Sequence, residues 1–385
     1  MRKVLYITTL SRTINAFLVP HIERLLSNED KVDCACFIDK PIDRKLLAKG
    51  VKIFDVPFSR NPFSFNNIKA FLKLKSIQRI NNYDVIHVHT PIAAMYGRLL
   101  KFWFPEVKTI YTAHGYHFLK GGSKLGWLLY YPIERIMATL SDVIININEE
   151  DYKITKERLN PRRAYLMNGV GLDLNKYKKL DKEKIINKKR ELGIKKDDFI
   201  VLMIAEINKN KNHIQLLNAM ELLKDKYPKI KVLCVGEGEL YKEIKEEIAL
   251  RELKGTVKLL GFREDINELI NVSDLGILLS HREGLPRNIM EFMACGRKVI
   301  ATDIRGCRDI VCDESVGTLV KVNDYKATAQ AIEDYYNNKD QEFEVSSHLK
   351  KYDVKSITES LLKLYDEVDR REYIAKGIPS YIINK

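Results

Sequence analysis

The stretch L-G-I-L-L-S-H-R-E-G-L-P-R-N-I-M-E-F-M-A-C-G-R-K-V-I-A-T, residues 275–302, contains two short apolar runs separated by an amphipathic segment. The runs at 275–280 and 298–302 have the length of buried strands, and bulky apolar residues dominate both. Pro286 stands where a helix can begin, because proline suits the first helical turn. A strand, a helix and a second strand in this order predict a βαβ unit with parallel strands.

The same alternation of apolar runs and helical segments occupies most of the chain and starts afresh near its middle. Strand candidates are residues 4–8, 32–37, 51–56, 85–89, 109–113 and 143–148 in the first half, and residues 199–205, 231–236, 257–261, 275–280, 298–302 and 317–322 in the second. Between the halves, residues 168–184 are polar, lysine-rich and glycine-bearing, as a linker would be. We therefore predict an α/β protein with two doubly wound domains, residues 1–170 and 171–355. A helical tail, residues 356–385, is expected to cross back to the first domain.

Length and composition fit a folded protein of two domains. The chain has 385 residues, of which 45% are hydrophobic. No run reaches the roughly 18 apolar residues of a membrane span, and the N-terminus becomes polar too early for a signal peptide. The six cysteines form no C-x-x-C pair, so buried reduced thiols are favoured over a zinc site or disulfides. These features predict a cytoplasmic protein.

Positive charge is concentrated in the first half of the chain. Residues 1–170 carry 26 Lys and Arg against 15 Asp and Glu, an excess of +11, whereas residues 171–385 carry an excess of only +2. Such asymmetry indicates an anionic partner, namely nucleic acid, an acidic membrane surface or a phosphorylated substrate. A lysine-rich surface without a partner explains the charge equally well.

The loop and helix at 280–296 have the chemistry of an anion and sugar site. Unpaired amides in the first turn of a helix form a cradle for phosphate, and Arg282 and Arg287 add cationic donors. Glu283 precedes the helix and Glu291 lies one turn into it, so the two carboxylates can accept hydroxyl protons from different parts of one ligand. An ordinary amphipathic helix with surface glutamates fits the spacing about as well.

The motif also resembles glycosyltransferase family 4, whose C-terminal domain carries two glutamates separated by seven residues in this context. The resemblance covers nearly the whole chain and implies that Glu283 faces the donor hexose and Glu291 binds the ribose hydroxyls. In A-E-I-N-K-N-K-N-H, residues 205–213, Lys211 matches a cation that binds the donor diphosphate, whereas Glu206 occupies a position where relatives carry arginine. Lys209, Arg282 or Arg287 is expected to supply the missing charge.

Further motifs extend the resemblance to both halves. The loops V-G-E-G-E-L (235–240) and L-G-F-R-E-D (260–265) border the nucleotide base in the family. The implied donor-binding residues are Lys211, Gly236, Phe262, Arg263, Arg282, Gly284, Leu285, Arg287, Asn288 and Glu291. In the first half, T-A-H-G-Y-H-F (112–118) places His114 near the reaction centre, so the implied catalytic residues are His114, Lys211 and Glu283. Arg12, His89 and His117 are predicted on the acceptor side.

The resemblance implies a GT-B architecture in which two Rossmann-like domains face a central cleft, and transfer from a UDP-sugar with retention of anomeric configuration. No D-x-D triplet occurs in the sequence, so neither a metal nor another cofactor is expected. The chain is similar to bacterial capsular and exopolysaccharide transferases that act on undecaprenyl diphosphate-linked saccharides. An N-acetylated hexosamine, or its 6-deoxy form, is the expected donor sugar.

Aromatic and lysine-rich clusters at 61–75, 101–104 and 116–131 suit peripheral contact with the anionic inner face of the cell membrane. Two other classes of function stay open at this point. A UDP-sugar epimerase of the same architecture would need the nucleotide site without an acceptor. A nucleic-acid-binding protein would explain the charge but not the paired glutamates, so no nucleic-acid partner is predicted.

Overall fold

The computed structural model describes residues 1–118, 124–339 and 347–375, which divide into two compact units. Of the described residues, the first unit contains Met1–Gly171 together with Val354–Ala375, and the second lies within Leu172–Asp353. Each unit is built around one parallel sheet with helices on both faces, which confirms the predicted α/β class with two doubly wound domains. Among the described residues, no helix combines the length and the apolar composition that are needed to span a membrane.

The first unit has a seven-stranded sheet in the order β3-β2-β1-β4-β5-β6-β7. Its strands are β1 (Lys3–Leu10), β2 (Lys31–Phe37), β3 (Ile53–Asp55), β4 (Val85–His89), β5 (Lys108–Ala113), β6 (Val143–Asn146) and β7 (Ala164–Leu166). Its helices are α1 (Ser11–Thr13), α2 (Val19–Leu26), α3 (Arg44–Ala48), α4 (Phe65–Asn81), α5 (Pro91–Leu99), α6 (Lys124–Thr139), α7 (Glu149–Ile154) and α15 (Val354–Ala375). Shorter π-helical or 3-10 turns lie at Ile14–Leu18, Leu100–Phe102 and Thr155–Leu159.

The second unit has a six-stranded sheet in the order β10-β9-β8-β11-β12-β13. Its strands are β8 (Phe199–Ile204), β9 (Ile230–Val235), β10 (Val257–Gly261), β11 (Leu275–Leu278), β12 (Lys298–Thr302) and β13 (Gly317–Val320). Its helices are α8 (Lys182–Leu192), α9 (His213–Leu223), α10 (Tyr241–Leu250), α11 (Ile266–Val272), α12 (Arg287–Ala294), α13 (Cys307–Ile310) and α14 (Tyr325–Asn337), with 3-10 turns at Lys209–Lys211 and Ser347–Tyr352. The strand order reverses between β8 and β11, and ligands of such sheets bind at the carboxyl ends of the strands beside that point.

The central strands are apolar along their whole length because both faces of each sheet are covered. In β1, Val4 and Tyr6 enter one core while Leu5 and Ile7 enter the other. In the second unit, Gly276 of β11 lies against the ring of Phe292, and a Cβ at this glycine would stand 2.7 Å from the ring carbons. The absence of a side chain at Gly276 therefore lets α12 approach the sheet closely.

Three details differ from the sequence predictions. Strand β7 was not predicted, because its three half-buried residues are too few to show a strand period. Pro286 is the N-cap residue of α12 rather than its first helical residue, so the helix begins at Arg287. Five of the six cysteines are buried free thiols as expected, but Cys312 is exposed.

Candidate functional site

The loop that carries Glu283 connects β11 to α12 and is tied to both neighbouring loops. The Asn210 side-chain amide donates to the carbonyl of Arg282 (3.0 Å), and the His281 amide donates to the carbonyl of Asn210 (2.7 Å). On the other side, Arg305 donates through Nε to the carbonyl of Glu283 (3.1 Å). These bonds fix the backbone on both sides of Glu283, so its carboxylate has a defined position.

Gly306 fits against the same loop in a conformation that favours glycine. Its φ is +78°, and a Cβ there would lie 2.2 Å from the carbonyl oxygen of Gly284. The chain after β12 can therefore pass directly over Gly284, just before the start of α12.

Lys211 and Glu283 form an ion pair at the carboxyl ends of β8 and β11. Lys211 Nζ lies 2.5 Å from Glu283 Oε1, and the two side chains are only 21% and 13% exposed. The side chain of Asn208 accepts a hydrogen bond from the amide of Lys211 (3.1 Å), which shapes the turn that presents the lysine. Two residues predicted as catalytic are thus brought together, with opposite charges side by side in a largely water-excluded place.

Glu291 lies on α12 in a different environment. The glutamate is 7% exposed, and burial raises the pKa of its carboxyl group. Arg287 donates to Glu291 through Nε (3.2 Å), and the neighbouring Tyr177 side chain lowers the pKa of this carboxyl group, which opposes part of the effect of burial. Tyr177 was not predicted as a site residue, because it stands in the lysine-rich segment that was interpreted as a linker.

The remaining predicted residues of the 282–288 segment surround the first turn of α12. Asn288 donates to the carbonyl of Ile204 at the end of β8 (2.9 Å), which anchors the helix to the sheet at the point where the strand order reverses. Gly284 and Leu285 are half-buried, whereas Arg282 is exposed. The first turn of α12 therefore supplies amide donors and the positive end of a helix dipole next to the Lys211–Glu283 pair.

Glu206 and Lys209 lie in the turn that follows β8. Both are exposed, in contrast to the half-buried Lys211. The carboxylate of Glu206 is therefore solvated, which weakens its repulsion of any anion that binds near Lys211.

The loops after β9 and β10 lie beside the turn after β8. Gly236 has a φ of +138°, and a Cβ there would stand 2.1 Å from the carbonyl oxygen of Ala205. Phe262 is 69% exposed, so its ring is open to a ligand. Arg263, in contrast, pairs with Asp265 (2.5 Å) and Glu191 (3.3 Å), so its guanidinium is already held by carboxylates.

At the carboxyl ends of β4 and β5 in the first unit, two histidines are in contact. His89 Nδ1 lies 3.1 Å from His114 Nε2, and His89 is 1% exposed while His114 is half-buried. Burial lowers the pKa of His114 to about 4, so the ring is neutral at pH 7. His89 was predicted on the acceptor side, but its ring is covered and contacts His114.

The other two residues predicted on the acceptor side have separate partners. Arg12 forms an ion pair with Asp39, although its side chain remains 54% exposed. His117 stacks on Tyr130 of α6, with ring centroids 4.8 Å apart. Neither contact joins these side chains to the His89–His114 pair.

Family models match both halves of the chain. The model described as "Glycosyl transferases group 1" matches residues 184–356, and the model described as "Glycosyl transferase 4-like" matches residues 3–148. The putative glycosyltransferase EpsD of Bacillus subtilis is 37% identical over 290 residues, which cover 74% of this chain and 75% of EpsD.

Two further relatives have names that specify substrates. One is the Escherichia coli UDP-Gal:alpha-D-GlcNAc-diphosphoundecaprenol alpha-1,3-galactosyltransferase, which is 27% identical over 80% of this chain and 81% of that protein. The other is the Campylobacter jejuni N,N'-diacetylbacillosaminyl-diphospho-undecaprenol alpha-1,3-N-acetylgalactosaminyltransferase, which is 26% identical over 92% of this chain and 96% of that protein.

Among solved structures, the Anabaena protein HepE in complex with UDP and glucose superposes with a TM-score of 0.80 at 19% identity, over 95% of this chain and 100% of HepE. Sucrose-phosphate synthase from Thermosynechococcus elongatus superposes with a TM-score of 0.82 at 16% identity, over 96% of this chain and 100% of that chain. At these identities the likeness concerns the fold.

Proposed function

Since this chain belongs to the bacterial glycosyltransferases of the group 1 and 4-like families, we propose that it transfers a sugar from a UDP-sugar to a saccharide carried on undecaprenyl diphosphate. The observation that carries this proposal is the arrangement around the first turn of α12, where Lys211 pairs with Glu283 and Glu291 lies buried one turn into the helix. A nucleotide sugar has a ribose, a diphosphate and a hexose, and these residues offer a charged or hydrogen-bonding group to each.

The donor is proposed to lie across the first turn of α12. Glu291 accepts hydrogen bonds from the ribose hydroxyls, while Lys211 and the helix amides bind the diphosphate. Glu283 faces the hydroxyls of the donor hexose. Because the ammonium group of Lys211 and the helix amides can all donate hydrogen bonds to phosphate oxygens, we propose that no divalent cation is required.

The transfer is proposed to retain the configuration at the anomeric carbon. The bond from this carbon to the UDP oxygen breaks while the acceptor hydroxyl forms a new bond on the same face, and the hydroxyl proton passes to the leaving phosphate oxygen. Lys211 stabilises the charge that develops on that phosphate. His114 of the first unit is neutral at pH 7, so we propose that it takes part through a hydrogen bond rather than a positive charge.

The acceptor and cellular location are proposed from the relatives and from the charge. The names of two relatives specify acceptors on diphosphoundecaprenol. The excess of +11 in residues 1–170 suits a diphosphate lipid at the anionic inner face of the cell membrane. We therefore place the enzyme on that face, in capsular or exopolysaccharide synthesis, with an N-acetylated hexosamine or its 6-deoxy form as the donor sugar.

Calorimetric titration of UDP without added metal tests the donor site. We expect wild-type protein to bind UDP and Glu291→Ala to bind it at least about tenfold more weakly, because a charge-assisted hydrogen bond contributes roughly 1.5–3 kcal/mol. The control is Glu246→Ala, which removes an exposed carboxylate from α10 and should bind UDP as the wild type does. A folded wild-type protein that does not bind UDP would contradict the proposed donor site.

Transfer is then measured with a panel of UDP-sugars and lipid-linked acceptors, with and without a chelator. Glu283→Ala should reduce transfer more than UDP affinity, and Lys211→Ala should weaken UDP more than uridine. Loss of activity with the chelator would refute metal independence. An epimerised donor sugar that forms without acceptor would instead identify an epimerase.

A further inference from the structure

A row of large apolar side chains on helix α6 faces away from the core of the first unit. The exposed residues are Leu125 (61%), Leu128 (71%), Leu129 (50%), Ile133 (48%) and Ile136 (61%). These five residues, the aliphatic face of α6, recur every three or four positions and so lie on one side of the helix. Met137 and Ala138 on the other side are buried against the unit.

The charged residues of α6 also differ between its two sides, with the cations exposed and the carboxylate facing inward. Lys124 and Arg135 are exposed. Glu134 is the one acidic residue in the helix sequence, and it faces inward to Arg98, with Oε1 and Oε2 at 2.5 and 3.0 Å from the guanidinium nitrogens. Because Arg98 is buried and binds this carboxylate, the outward surface of α6 presents apolar and cationic groups.

Helix α4 adds a second strip of the same chemistry. Ile68 and Leu72 are 51% and 60% exposed, and Lys69 and Lys73 beside them are exposed as well. The inward residues of α4 and α6 enter one common core on the same face of the sheet. The outward surfaces of both helices therefore lie on the same side of the first unit.

From these contacts we infer that the aliphatic face of α6, supported by α4, docks on an anionic lipid bilayer. Single exposed leucines are common on soluble proteins, but Leu128, Leu129, Ile133 and Ile136, exposed together on one helix beside exposed cations, form the kind of apolar patch that marks an interaction site. The combination of aliphatic side chains, Lys and Arg is typical of helices that lie in the membrane interface, where cations meet lipid phosphates. The biological role of docking on a bilayer rests on the proposed lipid-linked acceptor. The vesicle-binding measurement does not depend on that acceptor.

Flotation of the full-length protein with vesicles tests the surface. One set of vesicles contains phosphatidylglycerol and phosphatidylcholine, and the other contains phosphatidylcholine alone. The variant Leu128→Glu/Leu129→Glu is compared with Leu222→Glu/Leu250→Glu, which makes the same chemical change at leucines 53% and 78% exposed on α9 and α10 of the second unit. All four leucines are exposed, so both variants should fold, which circular dichroism verifies.

We expect the wild type to float with the anionic vesicles, and the α6 variant to lose at least about tenfold in vesicle affinity, because two apolar side chains that would enter the bilayer are replaced by charged ones. The control variant should bind vesicles as the wild type does. Equal losses in both variants would mean that net charge alone decides binding, and unchanged binding of the α6 variant would mean that the surface is not involved. Either outcome overturns the inference.

Two further measurements separate the remaining explanations. Light scattering compares the oligomeric state of the wild type with that of the α6 variant. If the wild type is a dimer that does not bind vesicles and the α6 variant is a monomer, the aliphatic face is a protein interface and the inference is wrong. UDP titration of the same variants distinguishes a failure of the docking surface from a failure of the proposed donor site. Vesicle binding without UDP binding would support the docking surface and contradict the proposed donor site.

Discussion

The two glutamates near α12 show how the same side chain acquires different chemistry from its neighbours. Glu283 lies beside the ammonium group of Lys211, whereas Glu291 is buried against Tyr177 and Arg287. The spacing of the glutamates predicted that both would be near α12, and the structure places them there. Their neighbours are up to 114 residues away in the chain, so sequence spacing could not reveal that Tyr177 lies near Glu291.

Removing the hydroxyl of Tyr177 should weaken nucleotide binding. Tyr177→Phe leaves the buried ring in place but removes the neighbouring hydroxyl that favours the charged form of Glu291. We expect UDP affinity to fall by about three- to tenfold, because a carboxylate accepts hydrogen bonds from a ligand more strongly than a neutral carboxyl group does. Calorimetric titration with UDP measures the change.

Tyr227→Phe provides the matched control, because its hydroxyl donates to Glu333 (2.5 Å) on α14. It should leave UDP affinity unchanged. If both phenylalanine variants bind UDP as the wild type does, the hydroxyl of Tyr177 does not favour the charged form of Glu291 for the ligand.

Among the elements, the central strands were predictable because parallel strands covered on both faces are continuous apolar runs. Strand β8 (Phe199–Ile204), for example, lies within the predicted run 199–205. Short edge elements lack such a signal, which is why β7 was missed. The close passage of the chain at Gly306 over Gly284 was not predictable either, since it depends on how two separate loops pack.

Gly306→Ala should disturb the loop of Glu283. The new Cβ would lie 2.2 Å from the carbonyl oxygen of Gly284, and the φ of +78° is strained for alanine. We expect a loss of stability above about 1 kcal/mol and weaker UDP binding, because the loop must shift. Thermal unfolding and UDP titration measure the two effects.

Gly193→Ala separates strain from collision, because Gly193 also has a positive φ (+71°) but open space at its Cβ position. It should lower stability without changing UDP affinity. A Gly306→Ala protein with wild-type UDP affinity would show that this contact does not position the Glu283 loop.

His87 and His89 lie in β4, and His114 follows β5 directly. Their burial makes the stability of the first unit depend on pH. Burial lowers the pKa of His87 and His89 well below the ordinary value and that of His114 to about 4. Between those values and about 6.5 the unfolded chain binds protons that the folded chain does not, so stability should fall as the pH decreases through this window. Urea unfolding at pH 7.5 and 5.5, followed by a probe in the first unit, should show a lower midpoint at pH 5.5.

A variant without one of these rings provides the comparison. His89→Phe removes one titrating group and keeps an aromatic ring beside Tyr6, so its midpoint should depend less on pH than that of the wild type. Equal midpoints for the wild type at both pH values would contradict the assignment of these buried neutral rings.

At the scale of the whole molecule, the chain leaves the first unit at Gly171 and returns to it at Val354. Helix α15 then supplies part of that unit's core, with Leu361 2% exposed beside residues of β1 and α2. The hydroxyl of Tyr365 hydrogen-bonds His87 Nδ1 (2.8 Å), so α15 also reaches the buried histidines of β4. The amphipathic pattern of this segment predicted a helix, but which core residues it would meet depended on the complete fold.

We therefore expect Leu361→Ala to destabilise the first unit selectively. The substitution leaves a cavity between α15 and the sheet, which typically costs about 2–5 kcal/mol. Hydrogen exchange should show faster exchange in β1 and β4, although both lie more than 270 residues earlier in the chain, while β8 and β11 keep wild-type protection. Lys363→Ala, at an exposed position on the same helix, should change neither set. If the faster exchange is confined to α15 itself, the helix is only attached to the unit, because a helix that completes the core must unfold together with the strands it covers.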